Sequence, residues 1–527
     1  RKNKNYYCLY YSKTYTAPSF KSLNYFIMIS LRGFTAFFFI IYAISIPIFA
    51  ENFYNSNVNT SFYIILSCCI ISFLLYSGRV FLFNILIAFY IFKQYLTRPY
   101  VDIFHHQLNS TQLEYILNND SFFTSAGAEV VFLSLLSLLI AWTIGLFIVK
   151  PTKSIQPLYP WIFKEIDRII TTPRIQLVLV WSTLSVSTYI SFDVLFRSAI
   201  AGASKPLFAF GLLSVEFITL SCLLHYVYSK HIGAIRTFPI LLIPVIILVA
   251  SSIYGGGRGA LYNIVVMVFL YWVFLNFNRN ITYKDLRKFF VLILTIPFVF
   301  FIGLIAQAVK HIRKSNILEN APNQSVYDSI ILNFNFFNLD NPAIASLYFG
   351  LTEIIHRLSH LQAQFLILND HYINKPSETF NLTHMFMRVI NDLIPGSLFN
   401  DVISINRLFH HIYLDEFVNY SSHTWGIQGT MYLLFGFIGS LFFVFILALL
   451  ISKYYGIILN LAKSSPTFYL FLTLFILSLL ENGTLERVVV VDVVRPLVII
   501  IFFILSIKLL NFLSLLLNNT LTNHRNK

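Results

Sequence analysis

The sequence predicts an all-α polytopic membrane protein with about twelve transmembrane helices and one large helical extracytoplasmic loop. Three observations predict this fold class. Of the 527 residues, 57% are hydrophobic and only 11% are charged, whereas a soluble domain carries about 25% charged residues. The mean hydropathy is +0.71. Apolar runs long enough to cross a bilayer recur along the chain between short polar segments.

The apolar runs have the length of membrane-spanning helices, roughly 17–25 residues. They lie at about residues 25–49, 61–77, 79–96, 129–149, 175–195, 207–229, 238–254, 260–277, 289–308, 425–451, 467–481 and 496–517. The second and third are joined tightly at Ser77-Gly78-Arg79 and the eleventh is short, so eleven or thirteen spans are the alternatives. The runs divide the chain into an N-terminal bundle of about nine spans (1–308), a large loop (309–424) and about three C-terminal spans (425–527).

Lysine and arginine set the predicted orientation. With the N-terminus inside, the short inside segments hold 21 basic residues and the short outside loops hold six. Basic loops stay on the cytoplasmic side, so both termini are expected in the cytoplasm and loop 309–424 outside. The same rule explains the formal net charge of +14 better than nucleic-acid binding, because the basic residues are spread over many loops. A cleavable signal peptide is not expected, because no small-residue cleavage site follows the first span.

Two smaller segments carry local expectations. The inside segment from Lys150 to Arg174 is basic and contains prolines, which predicts an amphipathic surface segment with Trp161 and Phe163 at the membrane interface. In the outer loop from Glu481 to Arg495, acids lie near bases, which predicts ion pairs within that loop.

A glycine-rich hinge, Ile253-Tyr254-Gly255-Gly256-Gly257-Arg258-Gly259-Ala260, joins two apolar runs that are each long enough to span a membrane. Arg258 is therefore expected at the outer membrane surface, where an arginine is costly unless it faces protein, water or an anion. Gly256 and Gly257 allow backbone N–H groups to approach such an anion closely. The pattern predicts that Arg258 binds the phosphate or pyrophosphate of a membrane-held lipid. The alternative is an anchor to lipid headgroups.

The large loop is too long for a simple connection and should have structure of its own. A helix is predicted from Ala343 to Asn369. Four polar residues fall within about 60° on its helical wheel: Glu353, Arg357, His360 and Gln364. They indicate one wall of a polar cavity, with an arginine for an anion beside an acid–base pair. The alternative is a solvated helix face with one Glu–Arg pair.

A second helix is predicted from Leu382 to Leu393, with His384 and Arg388 one turn apart. Arg388 is a further candidate for binding an anion. His423 lies just outside the tenth span, where it faces either the cavity of Arg258 or the membrane interface. His356 and His360 have metal-compatible spacing, but the glutamate of an HExxH motif is missing, so no metal is expected.

Three stretches between about residues 238 and 450 resemble the O-antigen polymerase family, the Wzy-type polymerases of oligosaccharide repeat units. One is the hinge Gly255-Gly256-Gly257-Arg258-Gly259-Ala260, and one is a long external loop whose first helix carries Arg357-Leu358-Ser359. The last is Ile394-Pro395-Gly396, followed by Gly429-Thr430-Met431-Tyr432-Leu433-Leu434-Phe435-Gly436-Phe437-Ile438-Gly439. That pattern is similar to the helix by which the family returns to the membrane.

The resemblance implies a membrane glycosyltransferase that needs no nucleotide sugar, metal or other cofactor. It would join repeat units held on undecaprenyl pyrophosphate at the outer face of a bacterial plasma membrane, as for lipopolysaccharide O-antigen or capsule. The partners implied are the lipid-linked oligosaccharide and the bilayer, with a chain-length regulator and a flippase in the same pathway.

The chemistry assigns roles to these residues. Negative charge grows on the departing lipid pyrophosphate, so preorganised cations there should contribute most. We assign that role to Arg258 and Arg357, with Arg388 in support. The candidates for a general base that activates the acceptor hydroxyl are, in order, His423, His360 and Glu353.

Two other functions remain open. A flippase or transporter for a lipid-linked sugar would need a polar path through the membrane midplane and often has inverted repeats. Here Glu216 is the only acid deep in an apolar run. An O-antigen ligase would share the arginine chemistry and the large external loop.

Overall fold

The computed structural model describes residues 30–49, 58–96, 125–150, 161–170, 220–231, 259–280, 382–393 and 426–483. It also describes residues 368, 488–489, 494, 498, 505, 508–509 and 512–516. Almost all of these residues are helical. Outside them lie the predicted spans 175–195, 238–254 and 289–308, most of spans 207–229 and 496–517, and nearly all of loop 309–424.

The helices are numbered in chain order. They are α1 (Leu31–Phe49), α2 (Val58–Ser77), α3 (Phe81–Ile91), α4 (Ser125–Ile148), α5 (Trp161–Ile170), α6 (residues 220–231), α7 (Gly259–Asn276), α8 (Leu382–Leu393), α9 (Gly426–Ser464) and α10 (Pro466–Asn482). A π-helical turn, Phe92–Leu96, extends α3. Helices α1 to α4, α6, α7, α9 and α10 overlap predicted spans, and the bounds predicted for α8 are confirmed.

Three of the described helices are long and apolar enough to cross a membrane: Asn59–Ser77, Glu129–Ile148 and Gly426–Ser464. Other apolar helical stretches are shorter: Leu31–Ser45, Phe81–Tyr95, Val265–Asn276 and Pro466–Glu481. Large apolar side chains are exposed on the outer faces of several helices, for example Ile44, Phe73, Ile144 and Phe442. Exposed apolar faces of this extent mark contact with lipid or with another protein.

Helix ends meet at two places in the bundle. At the first, Leu31 donates its backbone N–H to the carbonyl of Arg279 at 3.2 Å, and Arg79 Nη1 donates to the carbonyl of Leu146 at 2.7 Å. We call this the basic end. Its described basic residues are Arg32, Arg79, Lys150, Arg168, Lys230, Arg279, Lys453 and Lys463.

The second meeting place is called the Lys93 end. There the Lys93 ammonium contacts Glu481, and Asn59 Nδ2 donates to Glu129 Oε1 at 3.2 Å. The predicted spans alternate in direction across the membrane. At each of the two places, the helix ends that contact each other are ends that this alternation puts on the same side. The basic end therefore corresponds to the predicted inside segments, which are rich in lysine and arginine, and the Lys93 end corresponds to the predicted outside loops.

The tight joint predicted at Ser77-Gly78-Arg79 is confirmed: α2 ends at Ser77 and α3 begins at Phe81. Gly78 has φ +66° and touches Arg32, so that a Cβ there would lie 2.6 Å from Arg32 Nη1. The Arg79 guanidinium also lies over the ring of Phe147, 4.5 Å from its centroid. These contacts fix the joint against α1 and α4.

Helices α4 and α9 approach each other closely. A Cβ on Gly145 would lie 2.6 Å from the carbonyl oxygen of Phe445 and 2.7 Å from Ala448 Cβ. Further along, Ser452 Oγ donates to the carbonyl of Leu146 at 3.2 Å. Small residues and interhelical hydrogen bonds of this kind hold helices together where lipid removes the hydrophobic driving force.

Helix α9 is broken at Gly436, where φ is +67° and ψ is −176°. A straight helix of its 39 residues would be about 58 Å long, and the 17 residues of α10 make about 26 Å. Yet α9 and α10 meet at both of their ends, through Ser465 and through the contact of Gly483 with Gly426. The long helix can satisfy both contacts only by turning, and Gly436 is where its backbone leaves the helical region.

The span predicted at 425–451 lies within a helix that continues to Ser464. The Phe163 ring packs against Phe468 and Phe471, with centroids 5.2 and 5.7 Å away, because α5 docks on α10.

The contact between Gly483 and Gly426, which brings the C-terminus of α10 to the start of α9, can be tested by substitution. Gly483 has φ +64°, and a Cβ there would lie 2.3 Å from both the Gly426 carbonyl oxygen and Thr430 Oγ1. Gly483→Ala should lower the free energy of unfolding by about 1–3 kcal/mol, since alanine is strained in this conformation. Thermal unfolding of the purified protein in detergent measures the change.

The matched control is Gly456→Ala, which makes the same substitution at a helical position of α9. It should leave stability unchanged or raise it, because alanine favours a helix over glycine. Equal changes in the free energy of unfolding of the two variants would contradict the close contact of Gly483 with Gly426.

Candidate functional site

Of the site residues predicted from the sequence, the structure describes only Arg388. The others, Arg258, Gly256, Gly257, Glu353, Arg357, His360 and His423, lie outside the described residues. Glu216 also lies outside them. Two of these positions adjoin described helices. Arg258 directly precedes the first residue of α7, and His423 lies three residues before the first residue of α9.

Arg388 lies on a helix with two distinct faces. Met385 and Val389 are buried, whereas Leu382 and Phe386 are 44% and 55% exposed. Arg388 itself is half-buried. On the helical wheel it lies about 60° from Met385 and about 160° from Phe386, so its guanidinium belongs to the buried side of α8.

A buried hydrogen-bond network is centred on Gln428 near the Lys93 end. Tyr95 donates its hydroxyl to Gln428 Oε1. Gln428 Nε2 donates to Ser134 Oγ at 2.6 Å and to the carbonyl of Val131 at 3.2 Å. Ser134 Oγ in turn donates to the Tyr432 hydroxyl at 2.5 Å. The network ties the π-helical turn, α4 and the first turns of α9 together, and its bonds strengthen one another in apolar surroundings.

An ion pair lies beside this network. Lys93 Nζ is 2.5 Å from Glu481 Oε1. The Lys93 side chain is 9% exposed and that of Glu481 is 28% exposed. Removing two charges from water carries a large desolvation penalty, which a close pair offsets only with good geometry. Ionisable groups within apolar helices are therefore functional candidates by default.

The pair corrects an expectation from the sequence. Glu481 was expected to pair within the loop to Arg495, but its partner is Lys93, 388 residues away in the chain. Lys93 and Gln94 interrupt the apolar run 79–96. That interruption is the sequence feature that could have indicated a polar site at this end of the run. The π-helical turn that carries them is also a form of helix common at functional sites.

A second polar cluster joins three helices at the basic end. Asp167 Oδ1 lies 2.9 Å from His225 Nε2 and accepts a hydrogen bond from Thr467 Oγ1 at 2.6 Å. Burial acts to raise the pKa of Asp167, but hydrogen bonds from His225, Ser465 and Thr467 and the charge of His225 together hold that pKa below its usual value. A lowered carboxyl pKa stabilises the fold at neutral pH, and this contribution is lost only as the pH falls below about 4. The cluster therefore fixes α5 to α6 and α10.

The Lys93 end is the stronger candidate for chemistry. The last turn of α7 lies at the basic end, so its first residue, Gly259, lies one helix length of about 27 Å away. Helix α9 begins at Gly426, beside the C-terminus of α10. Both helices thus begin away from the basic end, and a helix N-terminus favours anions.

No family model, no curated protein and no solved structure matches this chain.

A double-mutant cycle on Lys93 and Glu481 tests whether the ion pair stabilises the site. Lys93→Met, Glu481→Gln and the double variant are compared by free energy of unfolding in detergent. The coupling between the two side chains should be about 0.5–3 kcal/mol, because they are in direct contact and Lys93 is buried.

The control cycle uses Arg168 and Glu165, which are 2.5 Å apart but of which Arg168 is 72% exposed. Its coupling should stay below about 1 kcal/mol. A coupling energy for Lys93 and Glu481 no larger than that of the control pair would show that the buried ion pair stabilises the fold no more than an exposed one does.

Proposed function

We propose that this chain is a membrane glycosyltransferase that polymerises lipid-linked oligosaccharide repeat units at the outer face of a plasma membrane. Donor and acceptor are both carried on a polyprenyl pyrophosphate, of the undecaprenyl type in bacteria. In this proposal the described helices form the membrane-embedded part of the enzyme and contact the bilayer. The reaction takes place at the Lys93 end.

One observation supports this arrangement most: the two bundle ends differ in charge and in structure. The basic end carries eight described basic residues, as the cytoplasmic side of a membrane protein does. The Lys93 end instead carries the buried network of Gln428 and the ion pair of Lys93 with Glu481. With the basic end on the cytoplasmic side, the polar Lys93 end faces outward, where an enzyme that joins exported glycans would act.

The proposed reaction transfers the growing chain from its own lipid to the next unit. A hydroxyl oxygen of the acceptor sugar forms a bond with the anomeric carbon of the donor chain. The bond from that carbon to the pyrophosphate oxygen breaks, and the lipid pyrophosphate leaves with the bonding electrons. The proton of the hydroxyl passes to a base, for which His423, His360 and Glu353 are the candidates. All atoms and electrons of this transfer are accounted for without a metal ion or a nucleotide.

The cations stabilise the departing pyrophosphate. Arg258 directly precedes α7 in the sequence, and the positive end of that helix dipole favours the same anion. Arg357 and Arg388 contribute further guanidinium groups, which pair with phosphate oxygens through two hydrogen bonds at once.

A specific observation favours a second function. Helix α9 is broken at Gly436, and broken helices form the substrate sites of many secondary transporters. A transporter or flippase for the same lipid-linked sugar is therefore the alternative. It would need the polar groups to continue through the bundle to the basic end.

Replacing Arg258 tests the function. Arg258→Ala should leave the protein inserted in the membrane but lower polymer formation by about 100-fold or more, the size of effect expected for one preorganised group that stabilises transition-state charge. The surface polysaccharide is separated by length on a gel. The expected pattern is single repeat units in place of a ladder.

The control variant is Arg168→Ala, which removes an arginine that is 72% exposed at the basic end and should leave the ladder unchanged. Normal polymer length in Arg258→Ala would overturn the proposed mechanism. Polymer stranded on the lipid would indicate a ligase, and loss of all surface glycan would indicate a flippase.

A further inference from the structure

We propose that Glu481 binds the acceptor sugar of the polymerisation reaction, with its carboxylate accepting hydrogen bonds from hydroxyl or amide groups of that sugar. Lys93 touches no substrate and holds the carboxylate in place. The inference rests on the proposed function, since it names a binding residue for that reaction. It also limits the substrate class: the acceptor sugar carries hydroxyl or amide donors, and no carboxylate that Glu481 would repel.

Stability of the fold does not account for the ion pair of Lys93 with Glu481. Glu481 lies in the last turn of α10, which ends at Asn482, and the negative end of a helix dipole disfavours a carboxylate there. The pair also gives up hydration that apolar side chains of similar volume do not have, so an apolar replacement is often neutral or stabilising. A role in binding explains why two charges are placed here.

The pair presents its anion rather than its cation at the protein surface. The Lys93 side chain is 9% exposed, whereas that of Glu481 is 28% exposed. Among the described residues, Lys93 is the only hydrogen-bonding partner of Glu481, and it contacts Oε1 at 2.5 Å. The two oxygens of an ionised carboxylate offer about four acceptor positions. Glu481 can therefore accept hydrogen bonds from a ligand while it stays paired with Lys93.

The surrounding contacts hold Glu481 in a fixed position. Gly483, two residues after it, caps α10 and contacts the Gly426 carbonyl oxygen at the start of α9. Lys93 lies in the π-helical turn, which is hydrogen-bonded to Gln428 of α9. Both members of the pair are thus fixed against the same end of α9. A binding group held in this way loses little conformational freedom when its ligand arrives.

The contact of α10 with α9 also brings Glu481 near the first candidate for the general base. His423 lies three residues before Gly426 in the sequence, and three residues of chain reach at most about 11 Å. Gly426 in turn contacts Gly483, the second residue after Glu481. A sugar bound to Glu481 therefore lies near the part of the chain that carries His423, as proton removal from its hydroxyl requires.

The experiment separates binding from folding by removing both charges of the pair. Lys93→Met, Glu481→Gln and the double variant each replace the wild-type chain in cells that make the polysaccharide. The measurements are the free energy of unfolding in detergent and the polymer length on a gel, at equal amounts of protein in the membrane. Glu481→Gln should lower polymer formation by about 10- to 100-fold, the effect of one hydrogen bond to a charged group.

The double variant distinguishes binding from the competing explanation, in which the pair only joins the π-helical turn to α10. It should be more stable than either single variant, because neither charge is left without its partner. Its polymer should nonetheless stay as short as that of Glu481→Gln, since the carboxylate is still missing. A wild-type ladder in the double variant would overturn the proposal and show that the pair serves only the fold.

The control makes the same two changes at the basic end, Arg168→Met with Glu165→Gln, in an ion pair whose arginine is 72% exposed. It should leave the ladder unchanged, and a loss of polymer equal to that of the Lys93 and Glu481 double variant would also overturn the proposal. Arg258→Ala separates this proposal from the polymerase function. If Arg258→Ala gives single units and the Lys93 and Glu481 double variant gives a wild-type ladder, only the role of Glu481 fails. If both give a wild-type ladder, the polymerase function fails as well.

A second measurement does not depend on the double variant, in case that variant does not fold. NMR linkage analysis compares the wild-type polysaccharide with the single repeat units made by Arg258→Ala. The acceptor sugar is the one whose hydroxyl is substituted in the polymer but free in the single unit. It should carry hydroxyl or acetamido groups and no carboxylate. A uronic acid or another acidic sugar at this position would contradict its binding by Glu481.

Discussion

The structure depends on one constraint: polar groups within an apolar bundle must find partners inside it. In water, Lys93 and Gln428 would need none, but within apolar helices an unpaired amide or ammonium costs several kcal/mol, on the order of the whole stability of a fold. Lys93 therefore contacts Glu481, and Gln428 contacts Tyr95, Ser134 and Val131. These contacts join the π-helical turn, α4, α9 and α10, so the arrangement of the Lys93 end follows from satisfying its polar side chains.

The break in α9 is what allows those partners to meet. An unbroken α9 would carry Gly426 far beyond the end of α10, and the contact of Gly483 with Gly426 would be impossible. The turn at Gly436 brings Gln428 and Tyr432 to α4 and the end of α10 to the π-helical turn. Glycine is suited to this position because its φ of +67° would strain other residues. The geometry of one glycine thus determines which side chains surround the candidate site.

Local sequence predicted the features that depend on local physics. Long apolar runs predicted α2 and α4, Ser77-Gly78-Arg79 predicted the tight joint, and the bounds predicted for the second loop helix, Leu382 to Leu393, are those of α8. Pairings between distant segments were not predictable in this way. Hydropathy cannot show that Glu481 meets Lys93, or that Phe163 meets Phe468, because both depend on how helices pack. The site residues on the large loop remain predictions, since only Arg388 among them lies in the described part of the chain.

The polymerase proposal requires Arg258 and Arg388 to lie on the same, external side of the membrane. Single cysteines at these two positions, in a variant without the four native cysteines, can be labelled in intact cells with a membrane-impermeant maleimide. Both positions should react before the membrane is permeabilised, as Glu129→Cys at the Lys93 end should, while Lys230→Cys at the basic end should react only afterwards. Labelling of either Arg258→Cys or Arg388→Cys only after permeabilisation would contradict the proposed mechanism.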